Sequence, residues 1–241
     1  MPLPALSDWP VESLRFSLFA PAILSFETLG LFQAFVGATP ATTTKQNTGE
    51  FTESGPYEKG GVIEIRGVGN RVDVTWMPVG VVLPIVPSLG SYVDVADDFA
   101  DRCVTWLRQV RLEAIRIAFG ATLHHCTSGK TANNELIREL APFLAYDPTD
   151  IQDLALQYNV PAAATSVPQV TINRLVRLQS VMYRTFGVVP HLQVMEQHAA
   201  RVEFDYNTSN ESAEHLRSAP LDRIVLEMLE LTVAHLSKGL Q

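Results

Sequence analysis

Residues 124–131 read His-His-Cys-Thr-Ser-Gly-Lys-Thr and gather the chain's densest set of reactive side chains. Gly129, Lys130 and Thr131 end as a phosphate-binding loop ends. Such a loop also needs a glycine five positions before the Gly-Lys pair, so that backbone amides can wrap a phosphate. That position is His124. A polar loop leading into a helix, with Thr131 as its cap, accounts for the stretch more simply. His124, His125 and Cys126 are also zinc-ligand types, with His191 and His198 further along. Adjacent strand residues point to opposite faces, so His124 and His125 cannot readily serve one ion. No metal site and no cofactor are expected. His124, His125, Lys130 and Thr131 remain together as the alternative ligand site, the centre of a nucleotide- or metal-dependent enzyme.

The other constellations are thinner. No Gly-x-Ser-x-Gly elbow is present. Cys126 neighbours His125 in sequence, but working Cys/His pairs are assembled by the fold. Glu203 and Asp205 alternate with Val202, Phe204 and Tyr206, as on the solvated face of a strand. Arg174, Arg177 and Arg184 lie on one segment and read as partners for acids within the chain. No complete catalytic set emerges.

The elements that must position these groups follow from periodicity. Residues 11–19 alternate, with Leu14, Phe16 and Leu18 on one side. A helix is expected after Ser25 through Phe35, closed by Gly37. Residues 38–61 are rich in Thr, Gly and Glu and read as a long mobile loop. Residues 62–66 and 71–77 form a hairpin around Gly67-Val68-Gly69-Asn70, with Trp76 on its buried side. Helices are expected over 92–110, 131–145 and 221–236, and a short one within 147–160. Strands are expected over 111–123 and 199–207. Residues 170–186 fit helix or strand, and an antiparallel partner in 199–207 favours strand.

Strand pairs with helices between them predict an α+β domain over 1–241. It is built on a mostly antiparallel sheet with helices packed on one face. Two similar halves, 1–90 and 91–241, are hinted at by the order.

One stretch stands apart. Residues 79–87 read Val-Gly-Val-Val-Leu-Pro-Ile-Val-Pro, uncharged and apolar, with prolines that forbid a central strand. Either the segment packs as an extended arm on the chain's own core, or it is an exposed patch whose Val79, Val82, Leu83, Ile85 and Val86 are the candidate interface residues, for a protein partner or a second copy.

Composition narrows the class. The 241 residues are 46% hydrophobic with a net charge of −8, which excludes a disordered chain. The acidic balance argues against a nucleic-acid partner, whose phosphates demand basic surface. Two cysteines without Cys-x-x-Cys spacing suit a reducing cytoplasm. Residues 1–10 show no basic stretch before an apolar run, so no signal peptide is expected. No apolar run reaches the roughly 20 residues of a membrane helix.

The pattern resembles a sporadically distributed, uncharacterised family of prokaryotic proteins of about this length. The resembling residues are Val11-Glu-Ser-Leu-Arg-Phe, Leu112-Glu-Ala-Ile-Arg-Ile-Ala-Phe-Gly, and Asp205-Tyr-Asn before a helix. The family's Arg-Tyr-x-Asn element is replaced here by Phe119-Gly-Ala-Thr. The family has no established activity to carry over, and the resemblance implies only a cytoplasmic bacterial or archaeal protein from a mobile or defence-related locus. Together these readings predict a non-catalytic interaction or structural subunit of a homo- or hetero-oligomeric complex.

Overall fold

The structure is a computed structural model and describes residues 2–80, 86–187 and 193–239. The first run of elements is β1 (Val11–Phe19), α1 (Leu31–Val36), β2 (Thr42–Lys45), β3 (Phe51–Pro56), β4 (Val62–Val68), β5 (Arg71–Met77) and α2 (Tyr92–Val110). The second run is β6 (Arg116–Thr127), α3 (Lys130–Leu140), β7 (Ala155–Asn159), β8 (Ala162–Ala163), β9 (Thr171–Gly187), β10 (Gln193–Thr208), α4 (Ala213–Leu216) and α5 (Leu221–Lys238). Both runs start with a strand and a helix, continue with four strands, and end on a long helix.

All ten strands join one antiparallel sheet, ordered β2-β3-β4-β5-β1-β6-β10-β9-β7, with β8 also beside β9. The two opening strands, β1 and β6, lie side by side at the centre. Their register runs from Leu14 opposite Ala121 to Phe19 opposite Arg116. Each run then extends outward in the same sequence, its last strand next to its first.

Alternation decides which side is covered. Leu14, Phe16, Val74, Trp76, Phe119 and Phe204 point to one face and are buried. The helices close that face: α2 brings Phe99, Cys103 and Trp106, and α5 brings Ile224, Val225 and Met228. Trp76 sits in the middle. Its indole N–H donates to the Gly60 carbonyl at 2.8 Å, and its ring meets Tyr57 edge-on at 5.0 Å. The hairpin expected at 62–77 is therefore present, with Trp76 buried. Among the described residues no helix is long and apolar enough to cross a membrane.

Several local expectations are corrected. The helix expected from Ser25 is broken at Gly30, which adopts a left-handed φ of 55°. A 3-10 turn over Phe26–Thr28 precedes it, and α1 starts only at Leu31. The stretch 38–61 is not a structureless loop but holds the edge hairpin β2–β3. Its threonines are β-branched and favour extended backbone even where they are exposed. The central strand starts at Arg116 rather than 111, because Arg111 takes a positive φ of 48° and ends α2. The short helix expected within 147–160 is replaced by β7, paired to β9. Residues 171–187 are strand, as the pairing argument favoured.

Candidate functional site

The sheet face away from the helices carries the polar half of every alternation. Arg15, Asp205, Arg177 and Glu203 lie on it, and they neutralise one another. Arg15 reaches Asp205 at 3.2 Å, and Arg177 reaches Glu203 at 3.2 Å. Arg71 pairs with Asp73 at 2.8 Å. The pair Glu203 and Asp205 is thus spent on arginines, Arg177 on the neighbouring β9 and Arg15 on β1, reached across Gly120 of β6.

The tightest cluster on this face depends on a register shift in β1. Val11 pairs with Leu123 and Ser13 with Thr122, so Glu12 is the extra residue of a bulge. The bulge keeps Val11 on the buried side and turns Glu12 out to the open face. There the Glu12 carboxylate accepts from Arg201 Nε at 3.0 Å and from the Tyr183 hydroxyl. His124, only 2% exposed, places Nδ1 3.3 Å from Glu12 Oε1, off the line of a hydrogen bond. Arg201 also donates to Gln179 at 3.1 Å.

Burial by itself would raise the Glu12 pKa. The nearby His124 ring, the hydrogen bonds from Tyr183 and Arg201 and the charge of Arg201 outweigh it, and the carboxyl is held at about 2. Burial, with Glu12 beside it, pushes the Tyr183 hydroxyl far up. At neutral pH the cluster therefore holds a paired carboxylate and a protonated phenol. Glu12 is too weak a base, and too fully bonded, to take a proton from a substrate. The arrangement ties the start of β1 to β9 and β10.

The residues of the alternative ligand site do not meet. His124 faces the open side. His125 faces the other way, with Nδ1 2.8 Å from the Asp8 carbonyl and its ring 5.5 Å from Trp9. Asp205 pairs with Gly120, four strand positions from His124, which is about 13 Å along the strand. Lys130 opens α3 and its Nζ donates to Gln152. Thr131 is the second residue of α3 and exposed. It does not cap the helix, because the cap position falls on Gly129. The loop before α3 bonds to itself. The Thr127 hydroxyl donates to Asn133 Oδ1 at 2.5 Å and accepts from the Gly129 N–H at 3.3 Å. The Gly129 amide is thus already engaged. We expect Lys130→Ala to leave any ATP or GTP affinity unchanged, and a loss of measurable nucleotide binding in that variant would overturn the reading. Stability should change by less than about 0.5 kcal/mol, as for a surface position. Calorimetric titration and urea unfolding check the two statements.

Cys126 is exposed at the rim of a cavity of about 220 Å³, where Pro4, His125, Ser128 and Leu136 also lie. Gln197 Nε2 lies 2.8 Å from its sulfur, and burial raises its pKa. A thiol held in that direction is a poor nucleophile. Cys103 is fully buried in α2, and burial raises its pKa well above the ordinary value. Both cysteines are unbridged. Among the described residues no three His, Cys, Asp or Glu side chains come together in a metal-binding group.

The apolar segment is described only at its ends. Val79 is 64% exposed, whereas Val86 is buried. Val82, Leu83 and Ile85 lie outside the described residues.

One feature escaped the sequence reading. β9 and β10 pair from Ile172–Thr208 to Gly187–Gln193, but their neighbours are shorter. β6 stops at Thr127 opposite His198, and β7 reaches only Ala155 opposite Gln179. The far end of the pair therefore projects as a two-stranded arm. Met182, Val194 and Met195 stand exposed on it, Val194 and Met195 at 50% and 48%. Its charges, Arg184 and Glu196, cancel each other at 3.0 Å. The Glu12–Tyr183 bond and the Gln197–Cys126 contact anchor its base. The signal available in the sequence was strand length: residues 170–186, read as one strand, run four residues longer than residues 111–123.

No protein-family model matches the chain, and a search of curated proteins finds no match.

Proposed function

We propose that this chain is a non-catalytic interaction or structural subunit of a homo- or hetero-oligomeric complex, and that the β9–β10 arm docks a different protein. The arm is the observation that carries the reading. A two-stranded ribbon gains little stability in water without a third strand or an apolar cover. Here the ribbon is tied down at its base and leaves its edges and three large apolar side chains in solvent. Exposed strand edges are templates for pairing with another chain. The neutral arm on a chain of net charge −8 favours apolar and backbone contacts over electrostatic ones. Val79 offers a second exposed contact of the same kind.

The same reading includes a cytoplasmic setting, which the two unbridged thiols support. The prokaryotic defence or mobile-element locus follows from the family resemblance alone.

The test is site-specific photo-crosslinking in the native cell. A photoreactive amino acid replaces Met195 on the arm, or Val68 at the opposite end of the sheet as control. The reading expects a discrete crosslinked protein from position 195, identified by mass spectrometry and absent from position 68. It must then bind the purified wild type and fail to bind Val194→Asp/Met195→Asp. Equal labelling at both positions, or none at 195, would contradict the docking role.

A further inference from the structure

The outer face of α5 carries a second pattern, separate from the arm. Arg223, Leu226, Glu230 and Ala234 recur at helical spacing along it, beside the loop at Thr165 and Ser166. A groove of about 500 Å³ runs between helix and loop. Leu226 is 38% exposed in that groove. Arg223 and Glu230 are exposed, and neither has an ion-pair partner among the described residues. Their neighbours are engaged elsewhere. Asp222 pairs with Arg108 at 2.7 Å. The Glu227 carboxylate is turned into the loop, accepting from the Thr165 and Ser166 amides at 2.6 and 2.9 Å and from the Ser166 hydroxyl at 2.7 Å.

We infer that this face is a two-fold contact with a second copy of the chain, α5 packing antiparallel on α5. The face is self-complementary. A cation and an anion seven residues apart lie two turns apart, about 10.5 Å, on one helix face. Around a two-fold axis passing between Leu226 and Glu227, Arg223 of each copy meets Glu230 of the other. Both charges that lack a partner within the chain gain one, and the two bridges form together. The exposed Leu226 side chains of the two copies then flank the axis and are covered, while Glu227 stays buried under its own loop. Ala234 lies on the same face, and its small side chain leaves room for the helices to approach to about 8–10 Å. An unrelated partner would have to supply this charge order, whereas a second copy contains it by symmetry. The contact deepens the assembly reading without relying on the arm. It is tested on purified protein, where a partner of the arm is absent.

The experiment is sedimentation velocity on four purified forms and one mixture, with circular dichroism to confirm folding. The wild type is expected to sediment at twice 26.6 kDa. Arg223→Glu places two like-charged pairs across the axis, and Glu230→Arg does the same with the opposite sign. Each alone should weaken dimerisation by at least about tenfold. An equimolar mixture of the two should regain the dimer, because each chain complements the other. The double reversal in one chain should regain it too. Both sites are exposed, so the variants keep the fold. A monomeric wild type, single reversals that leave the dimer intact, or a mixture that stays monomeric would each overturn the contact. None of these outcomes would bear on crosslinking through Met195.

Discussion

Replacing Glu12 with alanine is expected to destabilise the fold by about 3 kcal/mol at pH 7, with a pH dependence that identifies the cause. Removing one member of a buried ion pair typically costs about 3–5 kcal/mol, because the partner stays desolvated. The low end applies here, since the Arg201 side chain is 26% exposed and can reach some water. The sign of the pH effect follows from the direction of the shift. The Glu12 carboxyl sits at about 2 in the folded chain, against 4.5 for an unperturbed glutamate. Its stabilisation is complete above pH 4.5 and is lost as pH falls towards 2. Glu12→Gln keeps an acceptor for Tyr183 but cannot ionise. Its deficit relative to wild type should be smaller than that of the alanine variant and should shrink between pH 4.5 and 2. Urea unfolding at pH 7, 4 and 2.5 reads both effects. A deficit that stays constant with pH would mean that the Glu12 charge contributes nothing.

The largest single effect is expected at Trp76. Trp76→Ala should cost about 4 kcal/mol, in line with removing a large aromatic from a packed core. The side chain is 1% exposed, stacks on Phe99 with centroids 6.3 Å apart, and holds Tyr57 edge-on. Trp76→Phe restores most of the apolar area but leaves the Gly60 carbonyl without its indole donor. It should therefore fall between, at about 1–2 kcal/mol. Urea unfolding at pH 7 separates the three proteins. A loss below about 1 kcal/mol for the alanine variant would show that α2 does not pack on β5 as described.

The burial of Trp76 was legible because the pattern is local. Val72, Val74 and Trp76 alternate with polar residues beside a glycine-rich turn, and nothing else in that segment competes. The β2–β3 hairpin was not legible. Thr42, Thr43 and Thr44 bury nothing, so no hydrophobic alternation announced a strand, and only their backbone preference and the pairing with β3 make one. Glu12 shows a different failure. Simple alternation along β1 sets it in phase with Leu14 and Phe16, towards the core. The bulge after Val11 reverses that, and a bulge is fixed by pairing with β6, which no window of β1 contains. The arm is harder still. Its projection is a difference between the lengths of β9 and β10 and those of β6 and β7, hence a property of four segments at once. The opposed facing of His124 and His125, in contrast, follows from the two-residue period of a strand.

The claim that the chain is an assembly subunit rests on the arm, and one comparison of mass addresses it. The protein is followed by immunoblot through size exclusion, in fresh extract of its own cells and again after purification to homogeneity. The account predicts that the wild type elutes from extract at a larger mass than the purified protein. It also predicts that Val194→Asp/Met195→Asp, folded by circular dichroism, elutes from extract at the purified mass. A wild type of equal mass in both preparations, or an arm variant that keeps the larger mass, would contradict it.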